Sequence, residues 1–141
     1  MRPMTDAERR AFLAAGAPTA ALATTREDGR PHVAPIWFLP DGDDVVFTTW
    51  HASVKGRNLA RDPRAAISVD DPAFPFAFVV LEGTCTLTDD LEDLRTWATR
   101  IAARYVPEGR AEEFGTRNAV TGELLVRFTP DRCSTGQGVA D

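Results

Sequence analysis

The chain has 141 residues, an apolar fraction of 43%, a charged fraction of 26% and a formal net charge of −5. These values suit one ordinary globular domain and exclude a disordered chain, and the acidic balance argues against a general nucleic-acid binder. No apolar run reaches the length of a membrane span, and the polar start from Met1 to Arg10 lacks the hydrophobic stretch of a signal peptide, so the cytoplasm is the expected compartment.

Thr5-Asp6-Ala7-Glu8 is a capping box and predicts a helix from about Asp6 to Ala14, stopped by Gly16 and Pro18. Three strands follow, Thr19 to Thr25, Pro31 to Leu39 and Asp44 to Trp50. The turns between them, Arg26 to Gly29 and Pro40 to Asp43, are short, which predicts an antiparallel meander. Ser53 is a favoured N-cap and predicts a short helix from Val54 to Asp62, ended by Asp62-Pro63. Arg64 to Asp70 reads as a fourth strand and Phe76 to Leu87 as a fifth, with a bulge expected at Glu82-Gly83. Asp89 or Asp90 caps a helix whose stripe of Leu94, Trp97, Ile101 and Tyr105 reads as core or dimer packing. A further helical piece spans Ala111 to Arg117, and Glu123 to Phe128 is the sixth strand. One domain over residues 1–133 is expected, with Ser134 to Asp141 as a disordered tail. The strands Ala20 to Ala23 and Phe76 to Leu81 are apolar on both faces, as in a barrel wall covered on both sides. Six strands with two or three helices predict a mainly β (α+β) fold, an antiparallel barrel with peripheral helices.

Side-chain chemistry is sparse. Cys85 and Cys133 are too few for a metal motif, and His32 and His51 lack the spacing of a metal site or a triad. No metal is expected, no side chain presents itself as a catalytic acid, and an enzyme built this way needs a cofactor. Lys55 stands out, because the other 15 of the 16 basic residues are arginines. It lies just after a β-branched strand and in the first turn of a helix, with Arg57 close behind, an arrangement suited to a phosphate. Arg26, Arg30, Lys55, Arg57, Arg61 and Arg64 all fall in the first half, which predicts a local basic groove suited to a small anionic ligand.

The stretches Gly29-Arg30-Pro31-His32-Val33-Ala34-Pro35-Ile36-Trp37-Phe38, Val46-Phe47-Thr48-Thr49, Ser53-Val54-Lys55-Gly56-Arg57-Asn58-Leu59 and Asp62-Pro63-Arg64 carry a family resemblance. In order and spacing the chain resembles the split β-barrel flavoproteins typified by pyridoxamine 5′-phosphate oxidase, and within them the small reductases that use the deazaflavin coenzyme F420. The resemblance runs from about Phe12 to Pro130. It implies a six-stranded split β-barrel of the FMN-binding type, forming a homodimer with its cofactor sites at the subunit interface. It also implies that Ala34, Pro35, Ile36 and Trp37 run beside the tricyclic ring, with Thr48 and Thr49 near the cofactor's side chain. Ser53 and Lys55 match the serine and lysine that hold the phosphate in the oxidases, and Arg57 and Asn58 match a helix pair of the deazaflavin branch. Two departures from the oxidases matter: no histidine follows His51, so their C-terminal Arg-x-His element is missing, and Val54 replaces the arginine that precedes their lysine. The resemblance therefore implies an F420-dependent reductase acting on a small unsaturated molecule. Its alternatives are an FMN-dependent oxidoreductase of the same fold and a non-catalytic binder of F420, flavin or haem.

Overall fold

The computed structural model describes residues Met1–Asp141. The elements in chain order are α1 (Asp6–Ala14), β1 (Ala20–Thr25), β2 (Pro31–Ile36), β3 (Leu39–Asp41), β4 (Asp44–Trp50), α2 (Val54–Arg61), β5 (Arg64–Asp71), β6 (Ala77–Thr88), α3 (Leu91–Tyr105), α4 (Ala111–Asn118) and β7 (Glu123–Gln137). All seven strands pair antiparallel in one sheet of order β2-β1-β5-β6-β7-β4-β3, which curls into a half-barrel.

Seven strands, not six, follow from a break inside the expected strand Pro31 to Leu39. β2 ends at Ile36, and Trp37-Phe38 carries the chain away to the far edge of the sheet. Side chains from α3 satisfy the backbone at the break. Phe38 donates its N–H to the Tyr105 hydroxyl at 3.1 Å, and its carbonyl accepts from Arg104 at 2.9 Å. The Tyr105 hydroxyl donates in turn to the Pro18 carbonyl at 2.8 Å. Buried backbone groups must find partners, and here residues some 67 positions away supply them in place of a neighbouring strand. The expected meander is corrected in the same way: β4 pairs with β7 and β3, not with β2.

The C-terminal correction has a similar cause. Ser134 to Gln137, expected as part of a disordered tail, forms the end of β7 and pairs with the start of β6 from Val80 back to Ala77. Without it, the first residues of the 12-residue β6 would expose an unpaired edge. The register shift falls between Glu82 and Gly83, where a Cβ on Gly83 would collide with the Thr129 carbonyl oxygen.

The helix starts follow local chemistry. Thr5 and Glu8 close a capping box on α1, Ser53 caps α2, and Asp90 accepts from the Asp93 amide to cap α3. The half-barrel encloses one apolar core, with Leu22, Phe38, Phe47, Ile67, Val79, Leu81, Val126 and Phe128 among its members. A smaller core lies under α3, where Val46 and Leu125 meet Leu94 and Ile101, with Trp97 and Tyr105 alongside. Burial on both faces thus belongs to β4, where Val45, Val46 and Phe47 are all fully enclosed. On β1, by contrast, Ala21 remains exposed on the outer face. No helix is long and apolar enough to cross a membrane.

Candidate functional site

α2 is the pivot of the site. Ser53 Oγ donates to the Trp50 carbonyl at 2.7 Å and accepts from the Gly56 amide at 3.0 Å. It lies 2.9 Å from Thr49 Oγ1. A serine has one proton and two acceptor sites, so with its proton given to Trp50 it accepts from Thr49 and has no valence left for a ligand. Thr49 is buried, and the Thr49–Ser53 pair serves to seat the helix on the end of β4. Gly56 makes the close seating possible: a Cβ there would strike the Trp50 carbonyl and come within 3.0 Å of the His51 carbonyl. No protein acceptor takes up the amides of Val54 and Lys55 in the first turn.

Lys55 opens onto a pocket of about 270 Å³ lined by Pro35, Ile36 and Trp37 from the end of β2 and by Thr48 from β4. Ala98, Ile101 and Ala102 of α3 and Asn118 of α4 close its other side. None of the ion pairs in the structure involves Lys55. Trp37 stacks parallel on Tyr105, with ring centroids 4.9 Å apart, so its plane is fixed before any ligand arrives. Half-buried Glu123 stands nearby on β7. Burial pushes its carboxyl up from its ordinary value, and the Thr48 hydroxyl and the Lys55 charge oppose that shift only in part.

The expected residues therefore divide. Pro35, Ile36, Trp37, Thr48 and Lys55, from three separate segments, meet in one pocket. Ala34 lies beside Pro35 on the neighbouring strand surface with Val33 and Ser68. Arg57 and Asn58 occupy another flank of α2, facing the β1–β2 turn. Arg57 donates Nε and a terminal nitrogen to the Ala52 carbonyl at 3.0 and 2.9 Å. Asn58 is buried and donates to Thr24 Oγ1 at 3.0 Å. Sequence reasoning missed the covering wall of Ala98, Ile101, Ala102 and Asn118, and also Glu123. The α3 stripe signalled a buried face, but nothing in its spacing says that its alanines leave room for a ligand.

This geometry can hold an anionic group at Lys55 and the first-turn amides while a flat apolar group lies along Pro35 to Trp37. The residues fit a flavin-like molecule in kind, with a compact cation for a phosphate and a dry wall for a ring. At about 270 Å³ the pocket lies just below the usual size range of small-molecule sites.

Comparisons with known proteins bear on the family and the fold. The sequence model of a family described as pyridoxamine 5′-phosphate oxidase matches residues 5–135. The pyridoxine/pyridoxamine 5′-phosphate oxidase of Pseudomonas entomophila is 32% identical over 138 residues, covering 94% of this chain and 62% of that protein. The chain thus spans less than two thirds of that relative's length. Among solved structures, a conserved hypothetical protein from Mycobacterium tuberculosis superposes with a TM-score of 0.82 at 25% identity, over 96% of this chain and 86% of its own. An F420 reductase superposes with a TM-score of 0.72 at 26% identity, over 87% of this chain and 94% of its own.

Proposed function

Because the chain belongs to the pyridoxamine 5′-phosphate oxidase family, we propose that it is an oxidoreductase of the F420-dependent kind, reducing a small unsaturated or quinone-like molecule. The observation that carries this reading is the meeting of the sole lysine, free of any ion pair, with Pro35, Ile36, Trp37 and Thr48 in one pocket. The F420 reductase among the structural relatives supports the choice of cofactor. Val54 stands where the oxidases place the arginine before their lysine, which argues against vitamin B6 oxidation.

Bound F420 would supply hydride chemistry from its ring. The protein's part is binding and alignment. Lys55, with the amides of Val54 and Lys55, holds the phosphate as a point charge backed by directed donors. Pro35, Ile36 and Trp37 give the ring an apolar wall, and the stack of Trp37 on Tyr105 fixes that wall's orientation. α3 and α4 exclude water from one side.

The open side is assigned to a second copy of the chain. The outer surface around β1 and β2 leaves Val33 66% exposed, beside exposed Ala21 and Pro35. An uncovered apolar strand surface next to a half-built pocket suits a homodimer that completes the site.

Calorimetry on the apoprotein with F420 and FMN side by side tests the reading. Tighter binding of F420, with oxidation of its reduced form by members of a panel of enones and quinones, is expected. Tighter binding of FMN would replace the cofactor assignment, and binding of F420 without turnover on any acceptor would make the protein a carrier. Lys55→Ala is expected to weaken F420 binding by about 1.5 to 3 kcal/mol, the range for a charge-assisted hydrogen bond, with the fold intact.

A further inference from the structure

The flank of α2 turned away from Lys55 bounds a larger cavity of about 470 Å³, between the helix and the β1–β2 turn. Arg26, Arg57 and Arg61 face it, with Glu27, Asp28 and Asn58. We propose that this cavity is a second anion site, independent of Lys55, which takes a compact oxyanion of the phosphate or pyrophosphate type. The inference goes beyond the redox reading and stands without it.

None of the three arginines has an acid partner, although acids lie close by. Asp62 follows Arg61 directly, yet it takes Arg64 through two bonds of 3.0 and 2.8 Å, and that pairing holds its carboxyl down at about 2. Asp28, on the cavity wall, pairs with Arg30 at 3.3 Å. Of the wall's two carboxylates, only Glu27 is left unmatched against three guanidinium groups. The local balance favours an anion carrying more than one charge.

Two of the three forks, Arg57 and Arg61, are held in place before a ligand arrives. Arg57 hangs from the Ala52 carbonyl by two bonds, which leaves three of its five N–H groups free. Arg61 donates through one terminal nitrogen to the Thr25 carbonyl and, at 3.4 Å, to Asn58 Oδ1, so its other N–H groups are free. Asn58 is 4% exposed and is fixed by its bond to Thr24 Oγ1 inside the barrel. A buried amide that orients a guanidinium at a cavity wall is a positioning residue. Pre-set forks of this kind suit bidentate recognition of phosphate oxygens, for which a lone ammonium is less adapted.

Titration with inorganic pyrophosphate tests the proposal, followed by calorimetry and by the arginine Nε–H resonances of the apoprotein. Saturable binding that shifts the Arg57 and Arg61 resonances, and weakens as salt rises, is expected. Arg26→Gln combined with Arg61→Gln should weaken it by about tenfold to a hundredfold, and Lys55→Ala should leave it within about twofold. Because the resonances are read on the unaltered protein, poor folding of a variant does not remove the test. Absence of saturable binding would overturn the proposal, and so would loss of binding in Lys55→Ala with the arginine variants unaffected. Adding F420 to the pyrophosphate-loaded protein then identifies the source. Co-binding marks the oxyanion as a separate small molecule, and displacement by F420 would overturn the independence of this site from Lys55.

Discussion

Two flanks of a single eight-residue helix, α2, carry cations in opposite settings. On one, Lys55 stands among Pro35, Ile36, Trp37 and the small side chains of α3, in a space that α3 and α4 close on one side. On the other, three arginines face a cavity whose wall includes only one apolar residue, Val54. A compact ammonium beside an apolar wall suits a ligand that is partly anionic and partly flat and apolar. Guanidinium forks tethered to backbone carbonyls suit an anion with little apolar surface. One helix thus separates two kinds of pocket lining, and the separation depends on how it is seated.

Breaking the seat should harm both flanks together. Gly56→Val would force a branched side chain into the Trp50 and His51 carbonyls, and a loss of about 3 kcal/mol in urea unfolding is expected, with both binding activities impaired. Asn58→Ala is more selective. It strips Thr24 and Arg61 of a partner and should cost about 1 to 3 kcal/mol while weakening pyrophosphate more than F420 in calorimetry. Ser53→Ala removes the cap and should cost about 1 kcal/mol by thermal unfolding, with Ser53→Thr restoring most of it.

Acidity sharpens the contrast, because the carboxyls beside the two flanks shift in opposite directions. Asp62 is held down at about 2 by Arg64, so its contribution to stability is present above the ordinary carboxylate value and is lost as pH falls toward 2. Asp62→Asn should therefore destabilise at neutral pH, and progressively less in acid. Burial raises Glu123, so its folded form holds a proton more tightly than its unfolded form, and stability falls as pH rises through the interval between the two values. Glu123→Gln should remove that fall. Urea unfolding at a series of pH values checks both signs.

Much of the fold was legible in the sequence, because caps, turns and apolar alternation are local. Thr5, Ser53 and Asp90 mark the helix starts, and Gly83 marks the bulge. The break at Trp37-Phe38 was not legible, since the groups that support it, Arg104 and Tyr105, lie on a helix far along the chain. The pairing of Ser134 to Gln137 was hidden for a similar reason: a polar segment becomes a strand only because β6 offers it an edge. The first-half arginines foretold a basic groove, and Arg26, Arg57 and Arg61 do converge. Their separation from Lys55 required knowing which way α2 faces. The pocket wall was legible on the β2 side and hidden on the α3 side, where small residues such as Ala98 and Ala102 matter through the space they leave.

A crystal structure of the protein grown with F420 tests the central claim most directly. The expected result places the cofactor phosphate within about 3 Å of Lys55 Nζ, the ring along Pro35 to Trp37, and a second copy of the chain over the open side. A cofactor lodged elsewhere, with Lys55 turned to open solvent, would contradict it.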